Sequence, residues 1–401
     1  MKILILTSGV FPDSHSGIPK LVFYTARELR RMGHEIVVLT RQYQPSHPAY
    51  EEVEGMHYHR VFIPKRGDIL QRFWPLIMPL KSVAWQRKIW REHKDIDVIW
   101  VHNPLWLLMS DPKHLWPRSK LIYEMVYRPY SEIISNHGSG LESRLVGFLL
   151  DLVIVYIMKR RADAVSVISW FVYRQCLSML GARYAEKIHV ITPGADPAVF
   201  YPVSPGEKKR IRRTLEMDAD RISFITARGL KGRTGVDKLI GAASLLKHEG
   251  IAFSLIIVGS GPMKGKLEEQ IAASGLSGCV RILSNVSEET LAAYYRASDA
   301  FVLPTQGGEG FGLATAEALA SGIVAFGTDN GATTEILEKY NPQWLIHGTD
   351  EKHIFEKMHE FCRHPERFSM SPGRIRQITV ENYTWEVGAN DFLRLAGELR
   401  G

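Results

Sequence analysis

The chain has 401 residues, of which 45% are hydrophobic and 23% are charged, and its length is sufficient for two domains. This composition excludes a disordered tail protein, a collagen-like repeat and a disulfide-stapled miniprotein. The three cysteines, Cys176, Cys279 and Cys362, are far apart and include no Cys-x-x-Cys pair. We therefore expect a reducing, cytoplasmic setting without structural zinc or disulfides.

The formal net charge of +7 is unevenly distributed. Residues 1–195 carry 26 lysines and arginines against 17 acidic residues, whereas the rest of the chain carries 24 against 26. Such asymmetry is typical of a domain that meets an anionic partner or surface. A basic surface without any binding function explains it equally well. We expect no nucleic-acid partner.

Apolar runs alternate with amphipathic stretches, which is typical of strand–helix units around parallel sheets. The stretch Gly17–Met32 predicts a helix, because its apolar residues recur on one stripe while its arginines face outward. The strands predicted in the first half are Lys2–Thr7, Glu35–Thr40, Asp97–His102, Leu121–Met125, Ala164–Ile168 and His189–Thr192.

The longest apolar run, Leu145–Met158, contains Asp151 and is shorter than the roughly 20 residues that span a bilayer. It predicts a buried helix. The apolar start Met1–Leu6 is too short for a signal peptide, so no targeting segment is expected.

The pattern breaks at Pro193-Gly194-Ala195-Asp196, and the charged run Glu207–Arg213 that follows marks the expected linker. We predict domains at 1–195 and 196–383, with a helix in 384–401 that returns to the first domain. The strands predicted in the second half are Ile222–Thr226, Phe253–Val258, Val280–Leu283, Ala300–Leu303 and Val324–Phe326. Its predicted helices are Val236–Lys247, Lys264–Ala273, Ser287–Ala297, Leu313–Ala320, Thr333–Glu338 and Trp385–Arg400.

The sequence therefore predicts the α/β class with two Rossmann-like, doubly wound parallel sheets. Ligands of open α/β sheets bind beyond the carboxyl ends of the strands, so we expect the active site in a central cleft that both domains face. Two Asp-x-Asp pairs, Asp95-Ile-Asp97 and Asp218-Ala-Asp220, border strand starts and are interpreted as coincidental rather than as metal sites. Gly259-x-Gly261 lacks the third glycine of a dinucleotide fingerprint and predicts a turn near a nucleotide.

The most informative segment is Gly308-Glu-Gly-Phe-Gly-Leu-Ala-Thr-Ala-Glu317, which lies between a predicted strand and a helix. Its glycines allow the backbone to approach a ligand closely. The first N–H groups of the helix, at Phe311, Gly312 and Leu313, form a ready site for a diphosphate.

Charged side chains complete this region. Glu309 in the loop and Glu317 in the first helical turn are carboxylates that suit the hydroxyls of a sugar or a ribose. Arg228, Lys231 and Arg233 follow the first strand of the same half and are suited to clamp a pyrophosphate. Taken singly, Arg228 or Lys231 is better explained as a solvated charge in a loop.

The segment Gly308–Glu317 resembles the Glu-x7-Glu signature of retaining GT-B glycosyltransferases, the family-four group of nucleotide-sugar-dependent enzymes. The match is specific from about residue 222 to 340, and the N-terminal half matches only in outline. Further segments that resemble family motifs are Thr226–Asp237 (the phosphate clamp), Ile257–Pro262 (the Val-Gly-x-Gly-Pro loop), Leu291–Pro304 (the lead into the donor site) and Gly327–Ile336 (the end of the donor region).

The resemblance implies a role for each matching residue. Glu309 would contact hydroxyls of the transferred sugar, and Glu317 would bind the ribose. The backbone from Gly310 to Leu313 would hold the sugar and the distal phosphate. Arg228, with Arg233 or Lys231, would neutralise the departing diphosphate, so that no metal ion or other cofactor is required.

The resemblance is weaker on the acceptor side. The family often has a lysine where this chain has Thr234, so Arg233 is expected to supply that charge. Many members carry a histidine after an N-domain strand, and the corresponding stretch here has none. The remaining acceptor-side candidates are Glu124, Tyr127, Arg128, His102 at another strand end, and Gly17 of the Ser16-Gly17 turn.

Aromatic and basic residues mix in the stretch from Phe73 to Arg91, and Lys159-Arg160-Arg161 adds charge. This mixture suits the inner, anionic face of a membrane and a lipid-linked acceptor, and it also suits a core helix with a solvated basic face.

The resemblance predicts a retaining glycosyltransferase that moves a hexose-type sugar from a UDP- or GDP-sugar to an acceptor hydroxyl of a glycan, a lipid-linked compound or a small molecule. The expected mechanism is same-face attack, in which the leaving phosphate helps to accept the acceptor's proton. Two alternatives remain open, namely a nucleotide-sugar epimerase or isomerase on the same fold and a non-catalytic sugar-binding paralogue.

Overall fold

The computed structural model describes residues 1–14, 17–42, 44–62, 74–128, 130 and 140–401, without the side chains of residues 74–80. The described chain divides into two compact units. One unit contains the described chain from Met1 to Pro193 together with Trp385–Gly401, and the other contains Gly194–Thr384. Each unit has its own largely parallel sheet, which confirms the predicted α/β class with two doubly wound sheets.

The first sheet contains eight strands in the described chain. Their order across the sheet is β3-β4-β2-β1-β5-β6-β7-β8, and only the β3–β4 pair at one edge is antiparallel. The strands are β1 (Lys2–Leu6), β2 (Glu35–Gln42), β3 (Tyr50–Val53), β4 (Met56–Phe62), β5 (Val98–Val101), β6 (Lys120–Met125), β7 (Ala164–Val167) and β8 (Ile188–Val190).

The sequence pattern predicts no strand where β3 and β4 form. β3 is an exposed edge strand, and its two glutamates give it a polar sequence without apolar alternation. β4 is mostly buried, but His57, His59 and Arg60 mask its hydrophobic signal. Arg60 is accommodated because its guanidinium donates to Asp13 at 2.7 Å and to Glu51 at 2.7 Å.

The helices of the first unit alternate with its strands along the chain, as in a doubly wound fold. In α1 the buried face includes Leu21, Val22 and Leu29, and the last turn carries Arg30 and Arg31. The cations stabilise the helix end because its carbonyl groups carry partial negative charge. The helices are α1 (Gly17–Arg31), α2 (Trp74–Glu92), α3 (Leu141–Arg160) and α4 (Trp170–Leu180).

The predicted helix Leu145–Met158 lies within α3, but the expectation that it is buried is wrong. α3 is apolar around most of its circumference, and the side that contains Ile154, Ile157 and Met158 is the one that packs. Its other side presents large apolar side chains to solvent, namely Leu145, Val146, Phe148, Leu149, Leu152 and Tyr156. None of the helices in the described residues is long and apolar enough to cross a membrane.

The second sheet is parallel throughout its described strands, in the order β11-β10-β9-β12-β13-β14. The strands are β9 (Ile222–Ala227), β10 (Phe253–Val258), β11 (Val280–Leu283), β12 (Ala300–Leu303), β13 (Val324–Thr328) and β14 (Leu345–Ile346). The helices are α5 (Pro205–Thr214), α6 (Val236–His248), α7 (Lys264–Ala273), α8 (Glu288–Ala297), α9 (Leu313–Ala320), α10 (Thr333–Leu337), α11 (Glu351–Arg363) and α12 (Pro372–Asn382).

The last helix, α13 (Trp385–Arg400), contributes to the core of the first unit. The Trp385 ring stacks on Tyr24 of α1 with centroids 5.2 Å apart and an interplanar angle of 18°. Further along, Phe392 packs against Trp100 of β5 at 4.7 Å. Aromatic contacts of this kind bury large apolar areas and hold the chain terminus in place.

Each sheet has one point where the chain reverses its progression across the sheet. This topological switch lies between β1 and β5 in the first sheet and between β9 and β12 in the second. The loops that leave the two strands diverge there and open a crevice at the carboxyl edge. His102 follows β5, and Arg228 follows β9, so both residues lie at these crevices.

The charged run Glu207–Arg213, predicted to mark the linker, instead lies within the helix α5, and an ion pair joins this helix to the second sheet. Arg212 is 5% exposed and donates to Asp299 at 2.6 Å and to the Ala297 carbonyl at 2.8 Å. Asp299 also accepts from Lys208 at 2.7 Å and from the Ser223 N–H at 2.8 Å. Burial opposes ionisation of Asp299, but Lys208, Ser223 and Arg212 outweigh it and hold the pKa of the carboxyl below its usual range.

We expect Asp299→Asn to lower the free energy of unfolding by about 3–5 kcal/mol, because Arg212 and Lys208 lose a shared carboxylate. Burial lowers the pKa of Lys208, so desolvation of its ammonium offsets part of the stability that its ion pair with Asp299 provides. The wild type should hold the stabilisation above about pH 4, the pKa of an unfolded aspartate, and lose it as pH falls through the lower folded value. Urea denaturation at several pH values measures both effects.

Asp218→Asn is the matched control, because Asp218 pairs with Arg221 at 3.0 Å where both side chains are 42% exposed. A surface pair of this kind contributes about 1 kcal/mol or less. Equal destabilisation by the two substitutions would contradict the role assigned to Asp299.

Candidate active site

Three side chains meet at the switch point of the second sheet. Arg228, which follows β9, donates one N–H to Thr305 Oγ1 at 2.7 Å and another to Glu309 Oε2 at 2.9 Å. Thr305 follows β12 and donates to the same Glu309 oxygen at 3.2 Å. Two of the predicted site residues, Arg228 and Glu309, therefore form an ion pair, and Thr305 is a member of the cluster that sequence reasoning missed.

The Arg228–Glu309 pair is largely withdrawn from water, since the two side chains are 8% and 16% exposed. Burial lowers the pKa of Arg228, and the Glu309 carboxylate counteracts this effect. A guanidinium stays charged even so. The site therefore holds a permanent, poorly hydrated positive charge, which is the chemistry that binds phosphate strongly.

The Glu309 backbone is held from the far side of its loop. Ala332 N donates to the Glu309 carbonyl at 3.0 Å, and Gly331 lies so close that a Cβ there would be 2.2 Å from the same oxygen. Gly331 also has a φ of +70°, which glycine adopts without strain. Gly331 lies within the segment Gly327–Ile336 that resembles a family motif, but its contact with Glu309 joins two loops and is not predicted by the local pattern.

The second candidate cation, Arg233, lies in the 3-10 turn Gly232–Thr234 and reaches the Gly308 carbonyl at 3.5 Å. This turn is attached to the loop after β12, because Gln306 N donates to the Arg233 carbonyl at 2.9 Å. At Gly235 the two loops touch so closely that a Cβ would lie 1.8 Å from the Pro304 carbonyl. Lys231 starts the turn and is exposed, so its ammonium is available but less firmly placed.

The loop after β10 packs against the backbone of Arg228. A Cβ on Gly259 would lie 1.9 Å from the Arg228 carbonyl, and Leu230 N donates to the Ser260 carbonyl at 2.9 Å. The Gly-x-Gly segment of this loop, Gly259–Gly261, thus provides room for the neighbouring loop that carries the cation.

The loop Gly310–Gly312 leads directly into α9. Gly312 has a φ of +89° and is the N-cap of that helix, whose first residue is Leu313. Phe311 is 4% exposed and packs edge-on against Tyr383 at 5.7 Å. The side chain of Phe311 therefore anchors the loop, and the N-terminus of α9 follows the segment that carries Glu309.

Glu317 is the fifth residue of α9 and lies in the second turn, not in the first as expected. It is 8% exposed, and Tyr295 of α8 donates to its Oε2 at 3.2 Å. Burial, together with the Glu317 carboxylate, raises the pKa of Tyr295 well above its usual value, so the hydroxyl keeps its proton. Sequence reasoning missed Tyr295, because its contact with Glu317 depends on the packing of two helices.

The first unit brings His102 and Glu124 together. Both are buried, with Nδ1 of His102 3.9 Å from Oε2 of Glu124, and Ser166 donates to that carboxyl oxygen at 3.4 Å. Burial lowers the pKa of His102 to about 3 and raises that of Glu124 to about 8. Both groups are therefore predominantly uncharged at neutral pH.

The other acceptor-side candidates follow β6 or begin α1. Arg128 donates to Asp151 of α3 at 2.6 Å, so its guanidinium is directed to that helix. Tyr127 is half-buried beside it, and Gly17 is the exposed first residue of α1. Ser16 lies outside the described residues.

Two family models match the chain. The model described as glycosyl transferases group 1 matches residues 207–371, and the one described as glycosyl transferase 4-like domain matches residues 16–194. The chain is also 24% identical to the GDP-mannose-dependent alpha-(1-6)-phosphatidylinositol monomannoside mannosyltransferase of Mycolicibacterium smegmatis, over 95% of each chain.

The structure is similar to two solved proteins along nearly the whole chain. Sucrose-phosphate synthase of Thermosynechococcus elongatus matches with a TM-score of 0.81 and 19% identity, over 99% of this chain and 98% of that one. The Anabaena protein HepE, solved in complex with UDP and glucose, matches with a TM-score of 0.75 and 16% identity, over 99% and 100%. These likenesses establish the GT-B fold. Since the two family models match the two units in turn, the chain belongs to the group 1 glycosyltransferases of the family-four type.

Proposed function

We propose that the protein is a retaining hexosyltransferase that uses a nucleotide diphosphate sugar as donor and needs no metal ion for transfer. The observation that carries this proposal is the buried cluster of Arg228, Thr305 and Glu309 at the switch point, directly before the N-terminus of α9. A cation, a carboxylate and free helix N–H groups in one crevice match the phosphate, the hydroxyls and the charge distribution of such a donor.

In the proposed reaction the bond between the sugar C1 and the diphosphate oxygen breaks, and negative charge develops on the diphosphate. Arg228 and the N-terminus of α9 stabilise this charge, and Arg233 supplies a second cation. The acceptor oxygen forms the new bond to C1 on the same face. Its proton passes to the departing phosphate oxygen, so the reaction needs no carboxylate nucleophile.

The two glutamates have separate roles in this proposal. Glu309 accepts hydrogen bonds from sugar hydroxyls and is oriented by Arg228 and Thr305, both of which contact Oε2. Glu317 binds the ribose and is oriented by Tyr295. GDP- and UDP-sugars are the favoured donors, since the Mycolicibacterium relative is named for GDP-mannose and the Anabaena structure contains UDP.

The stereochemistry of the product tests the reaction class. UDP-, GDP- and ADP-sugars are first compared by thermal shift, because a ligand that binds the folded state raises its melting temperature. The preferred α-linked donor is then supplied with an acceptor, and we expect NMR to show an α-linked product. A β-linked product would contradict retention, and an altered sugar nucleotide formed without acceptor would indicate an epimerase.

We expect Glu309→Gln to lower the rate of transfer by about 10²-fold, because a hydrogen bond to a charged group is worth about 1.5–3 kcal/mol. The amide also leaves Arg228 without its carboxylate. Single-turnover kinetics with saturating donor measures the effect on the chemical step.

Glu268→Gln on α7 is the matched control, since Glu268 is an exposed residue that pairs loosely with Lys264 at 3.7 Å. Its transfer rate should equal that of the wild type. Near-normal turnover by a folded Glu309→Gln variant would show that the active site lies elsewhere, and circular dichroism verifies the fold of both variants.

For the acceptor we propose a lipid-linked or anionic compound at the cytoplasmic face of a membrane. The apolar face of α3, formed by Leu145, Phe148, Leu149, Leu152 and Tyr156, is exposed. Exposed arginines lie near the two ends of this helix, at positions 144 and 160. An apolar face flanked by cations suits an anionic bilayer surface.

A cavity of about 240 Å³ adjoins this face. Its lining includes Leu107, Leu152, Tyr156 and Arg161. The guanidinium of Arg161 also donates to the Ser110 carbonyl at 3.0 Å. Apolar walls next to a guanidinium suit an acyl chain with a polar headgroup. The acceptor in the name of the Mycolicibacterium relative, a phosphatidylinositol monomannoside, is of this chemical class.

The basic stretch from Phe73 to Arg91 supports the same surface only in part. Phe73 and the side chains of residues 74–80 lie outside what the structure describes. In the rest of α2, Ser82 and Gln86 are buried and donate to the Trp106 carbonyl at 2.9 and 3.0 Å. The solvent face of the helix carries Arg87, Lys88, Trp90 and Arg91.

We expect the triple substitution of Phe148, Leu149 and Leu152 by serine to reduce binding to phosphatidylglycerol-containing vesicles about tenfold or more, because each side chain contributes apolar area. All three are more than half exposed, so the melting temperature should stay unchanged. Vesicle sedimentation measures the bound fraction.

Leu245→Ser on α6 provides the control, because it removes an exposed leucine from the second unit. Binding by this variant should match that of the wild type. If the triple variant and the wild type sediment equally with the vesicles, the apolar face of α3 is not the membrane contact.

A further inference from the structure

Three potential metal ligands meet in the first unit, beside the amino end of β2. His59 lies in β4, and Glu92 and His93 lie at the end of α2. His93 Nδ1 is 3.7 Å from Glu35, the first residue of β2. Ligands of open α/β folds bind at the carboxyl ends of the strands, so this cluster lies at the edge of the sheet that the transfer reaction does not use.

The geometry is close to that of a bound ion. One ligand atom from each residue lies within 4.8 Å of the other two, and His59 Nε2 is 3.8 Å from Glu92 Oε2. In a tetrahedral site with bonds of about 2.0–2.1 Å, neighbouring ligand atoms are roughly 3.4 Å apart. Because Glu92 is 45% exposed, its side chain is free to rotate and bring the carboxylate slightly closer to His59 Nε2, as metal coordination requires.

His59 supplies an independent indication of a missing partner. Its side chain is 1% exposed, and neither ring nitrogen has a hydrogen bond among the described residues. Tyr50 and His93 pack around the ring, with centroids 5.1 and 5.9 Å away. Buried polar atoms are nearly always satisfied, so an unpaired imidazole that faces a carboxylate and a second imidazole requires an explanation.

The surrounding residues hold the ligands in position. The backbone N–H of His93 donates to the Ile89 carbonyl at 2.7 Å, and the Trp116 indole donates to the His93 carbonyl at 2.8 Å. Glu35 beside His93 Nδ1 is the kind of carboxylate that orients a metal-binding histidine through its other nitrogen. Lys2 partly neutralises Glu35 from 2.9 Å and so limits the negative charge around the cluster.

A fourth ligand is available on the same strand. His57 lies two residues before His59 and therefore on the same face of β4. Its ring centroid is 5.7 Å from that of His93, and its Nδ1 pairs with the Tyr50 hydroxyl at 3.0 Å. This leaves Nε2 of His57, or a water molecule, to complete the coordination.

We propose that His59, Glu92 and His93 bind one first-row transition-metal dication such as Zn²⁺. Two imidazoles and a carboxylate form a ligand set that zinc accepts, whereas Mg²⁺ and Ca²⁺ require oxygen ligands. The bound ion joins the end of α2 to β4 and stabilises the first unit. It takes no part in sugar transfer, so its presence or absence leaves the proposed reaction unchanged.

The test uses the full chain with any affinity tag removed and with metal stripped by a chelator. Titration calorimetry with Zn²⁺ should show one equivalent bound per chain, and the bound ion should raise the melting temperature. Glu92→Gln and His93→Ala should each weaken zinc binding about tenfold or more, since even residues outside the ligand set change metal affinity by 10–100-fold. Glu92 is partly exposed, so its variant should fold normally.

His248→Ala removes an exposed histidine at the end of α6 and should bind zinc as the wild type does. Three outcomes would overturn the proposal: no saturable uptake of Zn²⁺ by the wild type, equal uptake by Glu92→Gln and His93→Ala, or equal competition by Mg²⁺. Transferase activity is measured in parallel and should be the same for the stripped and the loaded wild type.

Discussion

The candidate active site depends on one steric constraint, which is the absence of a Cβ atom at three loop positions. Gly235 lies against the Pro304 carbonyl, Gly259 against that of Arg228, and Gly331 against that of Glu309. At each position a side chain would collide with the backbone of another loop. The loops after four neighbouring strands, β10, β9, β12 and β13, therefore pack backbone to backbone, and the charged side chains they carry converge on a small volume at the switch point of the sheet.

Hydrophobic periodicity was sufficient to predict most of the second unit from the sequence. Strands such as β10 are buried at all but one position and consist largely of apolar residues, and the helices between them keep a clear apolar stripe. The prediction failed where local composition and tertiary environment disagree. β3 is a polar edge strand, α5 is rich in charge yet buries Arg212, and α3 is apolar yet largely exposed.

The contrast between local sequence and tertiary contacts also separates the candidate site residues that could be predicted from those that could not. Glu309 belongs to a contiguous motif, and Arg228 directly follows a predicted strand. Their spacing and chemistry therefore identified both as candidates. Thr305, Tyr295 and Gly331 act through contacts between segments distant in sequence, which no local pattern encodes. In the first unit, burial determines the chemistry of His102 and Glu124, since it leaves both groups predominantly uncharged at neutral pH.

The salt bridge between Arg228 and Glu309 has a consequence for ligand discrimination. An anion that attracts Arg228 also removes a hydrogen-bond donor from the Glu309 carboxylate. Glu309 is only 16% exposed, so water replaces that hydrogen bond poorly. A nucleotide sugar replaces the lost hydrogen bond with one from its sugar hydroxyls, whereas inorganic phosphate or a nucleoside diphosphate without a sugar does not. Under the proposed function, the closed salt bridge penalises ligands without a sugar, and its re-formation after transfer favours departure of the nucleoside diphosphate.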